Sequence, residues 1–257
     1  MASVENIPDP RTDEVRPAPA IAPIVARNRP ARFDRIARLY RAMEYVSFGP
    51  VLERCRFHHV PALADTRRAL VLGDGDGRFL ARLLASVPHL QADAVDASSA
   101  MLHLLHDRIA EQGDLHRLTT TCADARHLQP PSGGYDLIVT HFFLDCLTLE
   151  ETEQLITRLR PHLVPGARWL VSEFEVPRSG VVRRGLARGI ISLLYAAFRL
   201  LTGLTVRRIP PWRTLLAQHG FAPRARRSWL GGLVISELWE LPSARQPRAI
   251  LRASTYK

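Results

Sequence analysis

Short apolar runs alternate along the middle of the chain with stretches in which apolar residues recur every three or four positions. The runs are typical of buried strands, and the periodic stretches are typical of amphipathic helices. They predict strand 68–73, helix 77–86, strand 92–96, helix 98–111, strand 117–122, strand 135–141, helix 150–161 and strand 168–174. Turns are expected at 130–134 and 165–166, where proline and glycine cluster. Such alternation predicts an α/β fold with a mostly parallel sheet between layers of helices.

The segment before this core follows other patterns. Residues 1–30 are rich in proline and alanine and have no sustained apolar period, which predicts a disordered arm. Residues 31–66 begin with a helical stripe and predict a helical cap. We expect its helices to continue through Glu53 and to pause at Pro61.

The C-terminal part predicts two more strands within residues 221–240, with Gly231 and Gly232 between or within them. Residues 243–257 are expected to form a polar tail. One folded domain over residues 31–242 accounts for the whole pattern, and the length of 257 residues suits a single α/β domain.

The most distinctive segment is an apolar insert at residues 178–210. Its centre reads GIISLLYAAFRLLTGL, which is shorter than the ~20 apolar residues of a membrane-spanning helix and is interrupted by Arg199. Arginines flank this centre on both sides. Four interpretations stay open: a buried packing helix, a lid over an apolar substrate pocket, a dimer contact, and a helix on an anionic membrane surface across residues 181–208.

Charge is distributed unevenly. The net charge is +10, and its excess lies in residues 178–257, whereas the first 177 residues are weakly acidic. An anionic partner for the C-terminal part is one explanation. Codon bias is the other, because Lys257 is the only lysine and the remaining 34 basic residues are arginines.

Cysteine usage points to a reducing compartment. Cys55, Cys122 and Cys146 are widely spaced, with no CxxC pair and no Cys/His ligand cluster. A cytoplasmic protein without a metal site is expected, since the N-terminus also lacks the pattern of a secretory signal. Contact with a membrane surface would add a peripheral location.

Residues 69–80, ALVLGDGDGRFL, predict a strand, a tight glycine turn and a helix N-terminus. Gly73, Gly75 and Gly77 would let the backbone approach a ligand closely, beside the exposed N–H groups of the helix. Arg78 stands where the dinucleotide fingerprint has its third glycine, so a nucleoside cofactor fits better than a nicotinamide or flavin dinucleotide. The alternative is a plain surface turn.

Asp96 follows the second strand at the distance where a doubly wound sheet places a carboxylate against ribose hydroxyls, about 20 residues after the glycines. Its alternative role is an N-cap for the helix that begins near Ser98. Together with the glycine turn, Asp96 favours the cofactor interpretation.

Five segments in this order resemble the class I S-adenosylmethionine-dependent methyltransferases. VLGDGDGRFL resembles motif I, VDASSAML the ribose-binding strand end, and CADARHL the adenine loop. YDLIVTHFFLDCL and GARWLVSEFEVP are similar to strands four and five. FDRIARLY upstream and the segment from HGFAP to ISELW downstream resemble the quinone-biosynthesis (ubiquinone/menaquinone) type, which methylates small molecules.

The resemblance implies a Rossmann-like, doubly wound sheet of seven strands, mostly parallel, with a closing antiparallel pair. It implies S-adenosyl-L-methionine as the cofactor and a small-molecule methyl acceptor. The residues that it places at the cofactor are Tyr40, Gly73, Asp74, Gly75, Gly77, Asp96, Ala97, Asp124, Ala125 and Thr140.

The chain departs from the family pattern in motif I. Val71 occupies the usual acid position, and Asp74 and Asp76 lie inside the loop instead. Which of these carboxylates meets the methionine ammonium, if either does, is left open. The end of strand four, THFF, lacks the (D/N/S)PPY tetrapeptide of nucleic-acid N-methylases, so a nucleic-acid acceptor is disfavoured.

Methyl transfer is an in-line displacement that needs an aligned acceptor, and it needs a base only when the acceptor must lose a proton. His141 is the first candidate base, because imidazole titrates near neutrality. A core histidine is the alternative. Asp145 could orient His141 or a substrate hydroxyl, and Tyr195 of the insert is a weaker candidate.

Phe142, Phe143 and the apolar insert favour a small apolar or aromatic acceptor such as a quinol-like ring. A family member that binds the cofactor without turnover is one alternative. An arginine-rich protein that binds nucleic acid or modifies RNA is another. A nicotinamide oxidoreductase is disfavoured by Arg78 and by the lack of a Tyr-x-x-x-Lys pair.

Overall fold

The computed structural model describes residues 50–130, 133–177, 184–185, 189 and 209–243. Their strands form one seven-stranded sheet in the order β3-β2-β1-β4-β5-β7-β6. The strands are β1 Arg68–Leu72, β2 Gln91–Asp96, β3 Leu118–Cys122, β4 Tyr135–His141, β5 Leu163–Phe174, β6 Ala222–Trp229 and β7 Val234–Glu240.

Strands β1 to β5 pair in parallel, and β7 pairs antiparallel with β5 and with β6. The chain builds outwards from β1 to β3 and then returns to β4 on the other side of β1. The expected doubly wound, mostly parallel sheet with an antiparallel C-terminal pair is therefore confirmed. Such a reversal opens a crevice at the carboxyl ends of β1 and β4, where ligands bind in open α/β sheets.

Helices cover both faces of the sheet. Those of the described residues are α1 Val51–Phe57, α2 Arg78–Ser86, α3 Ser99–Ala110, α4 Leu149–Leu159 and α5 Trp212–Gln218. The Ser98 hydroxyl accepts the N–H of Met101 and so begins α3. Thr148 and Glu151 form a reciprocal capping box that begins α4.

Two apolar clusters hold these layers together, one on each face. Ile156 of α4 and Trp212 of α5 pack with Trp169 of β5 on one face. Phe79 of α2 belongs to the other cluster, together with Leu170 of β5. Neighbouring residues of β5 thus face opposite layers, as the alternation of side chains along a strand requires.

Helix α1 packs beside the C-terminal strands, where the Cys55 thiol donates a hydrogen bond of 3.2 Å to the Ile235 carbonyl of β7. The helix continues past Glu53 to Phe57. A 3₁₀ turn at Val60–Leu63 contains Pro61, where the sequence predicts a pause.

Strand β5 is the clearest difference from the prediction. It begins at Leu163, not at 168, and the turn expected at 165–166 lies inside it. Gly166, with φ +84°, makes an irregularity in the strand, and its N–H donates to the Leu241 carbonyl over 2.9 Å. Pairing therefore resumes on both sides of a bulge, from Tyr135–Leu163 to Leu137–Arg168.

Several predictions lie outside the described residues: the arm 1–30, the stripe 33–40, nearly all of the insert 178–210 and the tail from 244. The four interpretations of the insert, including membrane contact through residues 181–208, therefore stay predictions. Among the helices that the structure describes, none is long and apolar enough to cross a membrane.

Candidate active site

The carboxyl ends of four parallel strands bring the predicted site residues to one edge of the sheet. Gly73 follows β1, and its N–H donates to the Val95 carbonyl of β2 over 2.9 Å. The N–H of Ala123, after β3, donates to the Asp96 carbonyl over 3.0 Å. The glycine loop, the β2 end and the β3 end are therefore adjacent, with the β4 end beside the loop.

The three loop glycines have positive φ angles of 66°, 66° and 78°, a region that favours glycine. A Cβ on Gly73 would lie 2.6 Å from the Phe143 ring, and one on Gly77 would lie 2.7 Å from the Leu105 Cα. A Cβ on Gly75 would meet nothing within 4 Å. Gly75 therefore faces open space, where a ligand can come against the backbone.

The two acids of this loop have different partners. Asp76 is bound by two guanidinium groups, with Arg78 Nε at 2.9 Å and Arg108 Nη2 at 3.3 Å from its Oδ2. Asp74 accepts the N–H of Leu80 at 3.0 Å, in the first turn of α2. Burial raises the pKa of Asp74 to about 7, although the Leu80 hydrogen bond and the charge of Arg56 act in the opposite direction.

Asp96 is tied to the glycine loop. Its Oδ1 accepts the N–H of Ser98 at 2.8 Å, and its carboxylate also accepts from the backbone of Gly75 and Ala97. Burial raises the pKa of Asp96 above its ordinary value, while these hydrogen bonds lower it. Because Ser98 is the N-cap of α3, the alternative in which Asp96 caps this helix is wrong.

Asp124 begins a 3₁₀ turn, Ala125–His127, and Ala125 is buried. Both Asp124 oxygens contact the Arg126 side chain, with a shortest distance of 2.6 Å to Nη2. Desolvation acts in the opposite direction, but the Arg126 hydrogen bonds and charge hold the pKa of Asp124 below its ordinary value. An adenine amino group would share this carboxylate with Arg126.

At the end of β4, Thr140 and His141 point to opposite faces. The Thr140 hydroxyl accepts the indole N–H of Trp169 over 3.0 Å, inside the core. His141 is buried, and its Nδ1 shares a hydrogen bond of 2.8 Å with the Ser172 hydroxyl. Burial, followed by the charges of Arg56 and His59, holds the pKa of His141 well below its ordinary value. The ring is therefore neutral at pH 7, and Asp145 does not orient it.

Three phenylalanines lie at the ends of β4 and β5, and we call Phe142, Phe143 and Phe174 the aromatic wall. Phe142 and Phe174 pack against the same apolar cluster, and Phe143 packs against another. Phe142 has φ +52°, a strained conformation for a residue other than glycine. Its ring lies 5.0 Å from that of Phe174, centroid to centroid, and the Arg56 guanidinium lies 5.2 Å from its centroid. The Phe143 ring lies against Gly73.

Glu173 is a site residue that the sequence did not single out. It is fully buried at the end of β5, and its Oε1 accepts the N–H groups of Phe143 at 3.1 Å and Leu144 at 2.8 Å. Asp145 is buried near it, and the Cys146 thiol donates to Asp145 Oδ1 over 3.5 Å. The rule that identified Asp96, an acid at the end of a parallel strand, also marks Glu173 in SEFE.

Two predicted residues, Tyr40 and Tyr195, lie outside the described residues. Within the described ranges, no group of three or more His, Cys, Asp or Glu side chains is placed to hold a metal ion.

The chain is similar in sequence to known methyltransferases. A methyltransferase domain model matches residues 70–169, from β1 into β5. Malonyl-[acyl-carrier protein] O-methyltransferase of a Paenibacillus species is 24% identical over 80% of this chain and 72% of its own. Ubiquinone/menaquinone biosynthesis C-methyltransferase UbiE of Ectopseudomonas mendocina is 28% identical over 79% of this chain and 84% of its own.

Among solved structures, an O-methyltransferase family protein from Burkholderia thailandensis matches with a TM-score of 0.61 and 20% identity. The match covers 83% of this chain, and the chain spans 60% of the length of that protein. The fold, the domain match and the open glycine cradle beside Asp96 all fit S-adenosylmethionine as the cofactor. Together, the domain match and the curated relatives support a class I S-adenosylmethionine-dependent methyltransferase.

Proposed function

We propose that the methyl acceptor is a small aromatic ring of the quinol type. The observation that carries this proposal is the aromatic wall at the edge of the sheet, in which the Phe143 ring lies against the glycine loop. Aromatic side chains favour ring-shaped ligands, because offset and edge-to-face ring contacts add to the burial of apolar area. The UbiE relatives, whose name is that of ubiquinone/menaquinone biosynthesis C-methyltransferases, support the same class of acceptor.

We assign the cofactor to the crevice at the carboxyl ends of β1, β2 and β4. We assign the ribose hydroxyls to Asp96, because its carboxylate accepts the N–H of Gly75, the glycine that faces open space. Asp74 is the acid assigned to the methionine ammonium, because Asp76 is already bound by two arginines. Asp124 and Ala125 are assigned to the adenine side.

When bound, the cofactor supplies the methyl group as an electrophile. The work left to the protein is to align the acceptor and to exclude water. His141 is buried and neutral, hydrogen-bonded to Ser172 and in contact with the Phe79 ring, which supports a packing role more than a role as a solvent-accessible base. Asp145 and Tyr195 stay candidates for contact with an acceptor hydroxyl.

An acceptor carboxylate, as in the malonyl substrate that the Paenibacillus relative's name gives, is less favoured. Asp145 is buried beside the aromatic wall, and a second carboxylate brought near it would add repulsion between like charges.

The test is a methyl-transfer assay with radiolabelled cofactor and a panel of acceptors: quinols and catechols, malonyl thioesters, and RNA. We expect turnover with ring acceptors. Phe142→Leu should raise the KM for the ring about 2- to 10-fold, the contribution of one ring contact, while the affinity for the cofactor stays the same. Phe57→Leu, an aromatic residue of α1 outside the wall, is the matched control. Turnover with a malonyl thioester or RNA and none with any ring would contradict the proposal.

A further inference from the structure

Glu173 occupies a position where a carboxyl group is costly. It is the second-last residue of β5, in the middle of the sheet, with no exposed surface. Transfer of a carboxyl group from water into such surroundings is unfavourable unless hydrogen bonds compensate for it. No described arginine forms an ion pair with Glu173, so an ordinary buried salt bridge does not explain it.

The hydrogen bonds of Glu173 go to the chain that leaves β4. The Phe142 N–H still extends the pairing of β4 with β5, since it donates to the Ser172 carbonyl over 2.7 Å. The chain then turns at Phe142, and the next two N–H groups, of Phe143 and Leu144, both donate to Glu173 Oε1. Without this oxygen, both N–H groups would lose the partner that compensates for their removal from water.

Phe143 connects this turn to the glycine loop. Its Cδ2 lies 2.6 Å from the place that a Cβ on Gly73 would occupy, so the ring and the loop backbone are in close contact. A shift of the Phe143 ring would therefore remove a contact that supports the glycine loop at Gly73. Glu173, the turn and the loop form a continuous path of contacts from β5 to β1.

The carboxyl group itself favours a neutral form. Burial first, and the nearby charge of Asp145 second, raise the pKa of Glu173 well above its ordinary value, against the effect of its backbone hydrogen bonds. Its second oxygen, Oε2, is buried and has no hydrogen-bond partner among the described residues. A glutamine at this position would retain the accepting carbonyl oxygen and carry no charge.

We infer that Glu173 is a positioning residue for cofactor binding, which acts by accepting the two hydrogen bonds of the 143–144 turn and not by its charge. It holds Phe143 against Gly73 and so keeps the glycine loop in the shape that receives the cofactor. This inference rests on the placement of the cofactor at residues 73–77 that we propose above, and it does not depend on the identity of the acceptor.

The test is calorimetric titration of three full-length variants with S-adenosylhomocysteine. Glu173→Gln keeps the accepting oxygen without a charge and should bind within about 3-fold of wild type. Glu173→Ala removes the acceptor from the buried N–H of Leu144 and the part-buried N–H of Phe143, and it should bind about 10- to 100-fold more weakly. Glu175→Gln, two positions along and ion-paired with Arg213 and Arg226, is the matched control and should bind as wild type does.

The path through Phe143 has its own test. Phe143→Ala should weaken binding, and the double variant with Glu173→Ala should lose less than the product of the two single effects, because both act on one element. If Glu173→Ala does not fold, the comparison of Phe143→Ala with Glu173→Gln tests the inference. Phe143→Ala must then lose affinity for S-adenosylhomocysteine, and Glu173→Gln must keep it.

Two results would overturn the inference. One is a folded Glu173→Ala, or Phe143→Ala, with the affinity of wild type. The other is a Glu173→Gln that loses as much affinity as Glu173→Ala, which would show that charge is the important property. A failure of the cofactor placement is seen separately, as an unchanged affinity in Asp96→Ala.

Discussion

Asp74 and Asp76 lie two positions apart but differ in what surrounds them. Arg78 and Arg108 neutralise Asp76, so this side chain fastens the loop to α2 and α3. Asp74 has a backbone N–H as its partner and is partly removed from water. Because burial raises the pKa of Asp74 to about 7, this side chain changes its charge near neutrality, and the change is measurable.

The affinity for S-adenosylmethionine should rise between about pH 6 and pH 8, because Asp74 loses its proton over this range and then attracts the methionine ammonium. Asp74→Asn should flatten this dependence of affinity on pH.

The stability of the unliganded protein should show the opposite dependence on pH. Between about pH 4 and pH 7 the folded state keeps a proton that the unfolded state releases, so the free energy of unfolding falls as the pH rises. Calorimetric titrations between pH 6 and pH 8 measure the affinity, and melting curves between pH 4 and pH 7 measure the stability. If Asp74→Asn kept the pH dependence of wild type in both, the assignment of these effects to Asp74 would be wrong.

Asp96→Ala should weaken the binding of S-adenosylmethionine about 10- to 150-fold, because hydrogen bonds to a charged acceptor are worth about 1.5–3 kcal/mol. Calorimetric titration is the measurement. Asp107→Ala, an exposed acid on α3, is the control and should bind as wild type does. Equal affinities in the two variants would remove Asp96 from the cofactor site.

At the scale of single residues, the sequence predicted a role where that role follows from the position of the residue on its strand. Asp96 could be found because it ends a strand at a characteristic distance from a glycine turn. The contact of Asp76 with Arg108 could not be predicted, because Arg108 lies 32 positions away on another helix. Glu173 also lies at the end of a strand, but its task of holding the turn after β4 could not be predicted, because it depends on two strands that only the fold makes neighbours.

At the scale of elements, the glycine loop serves two purposes through different residues. Gly77 permits α3 to approach α2, since a Cβ there would meet the Leu105 backbone at 2.7 Å. Gly75 makes no such contact and faces open space. One glycine therefore serves packing, and the other serves the ligand.

Alanine substitutions should separate these purposes. Gly75→Ala bears only the cost of its positive φ, about 1–2 kcal/mol, and should remain folded while its affinity for the cofactor falls. Gly77→Ala has the same cost and adds a clash with the backbone of Leu105. It should therefore lower the melting temperature clearly more than Gly75→Ala does. Thermal melting of the unliganded proteins compares the two, and equal melting temperatures would refute the packing role of Gly77.

Element boundaries followed from the sequence where a capping residue or a glycine marks them. The predicted and observed bounds of β4 agree, and those of α3 differ by one residue at each end, because Ser98 caps this helix. The start of β5 did not follow, since a proline and a glycine predict a turn. Tertiary pairing with β4 and a contact with Leu241 keep this segment in the sheet as a bulge.

At the scale of the whole molecule, periodicity indicated an α/β fold but not the order of its strands. The closing antiparallel pair came from the resemblance to a family, because local patterns do not record which strands pair. The structure adds that β7 lies between β5 and β6. The basic C-terminal part is also partly neutralised within the fold. Arg213, Arg224 and Arg226 are ion-paired with glutamates, so part of its positive charge is already balanced.

The position of β6 at the edge of the sheet has a consequence for association. A strand edge with unpaired N–H and C=O groups invites another chain to add a strand. Here Pro223 removes one donor, and Arg224, Arg226 and Arg227 are all exposed along the strand. Two copies that met edge to edge would be repelled by their Arg227 side chains, because Arg224 and Arg226 are already balanced by glutamates. The composition of β6 thus protects this side of the sheet against self-aggregation, whatever further role its charge has.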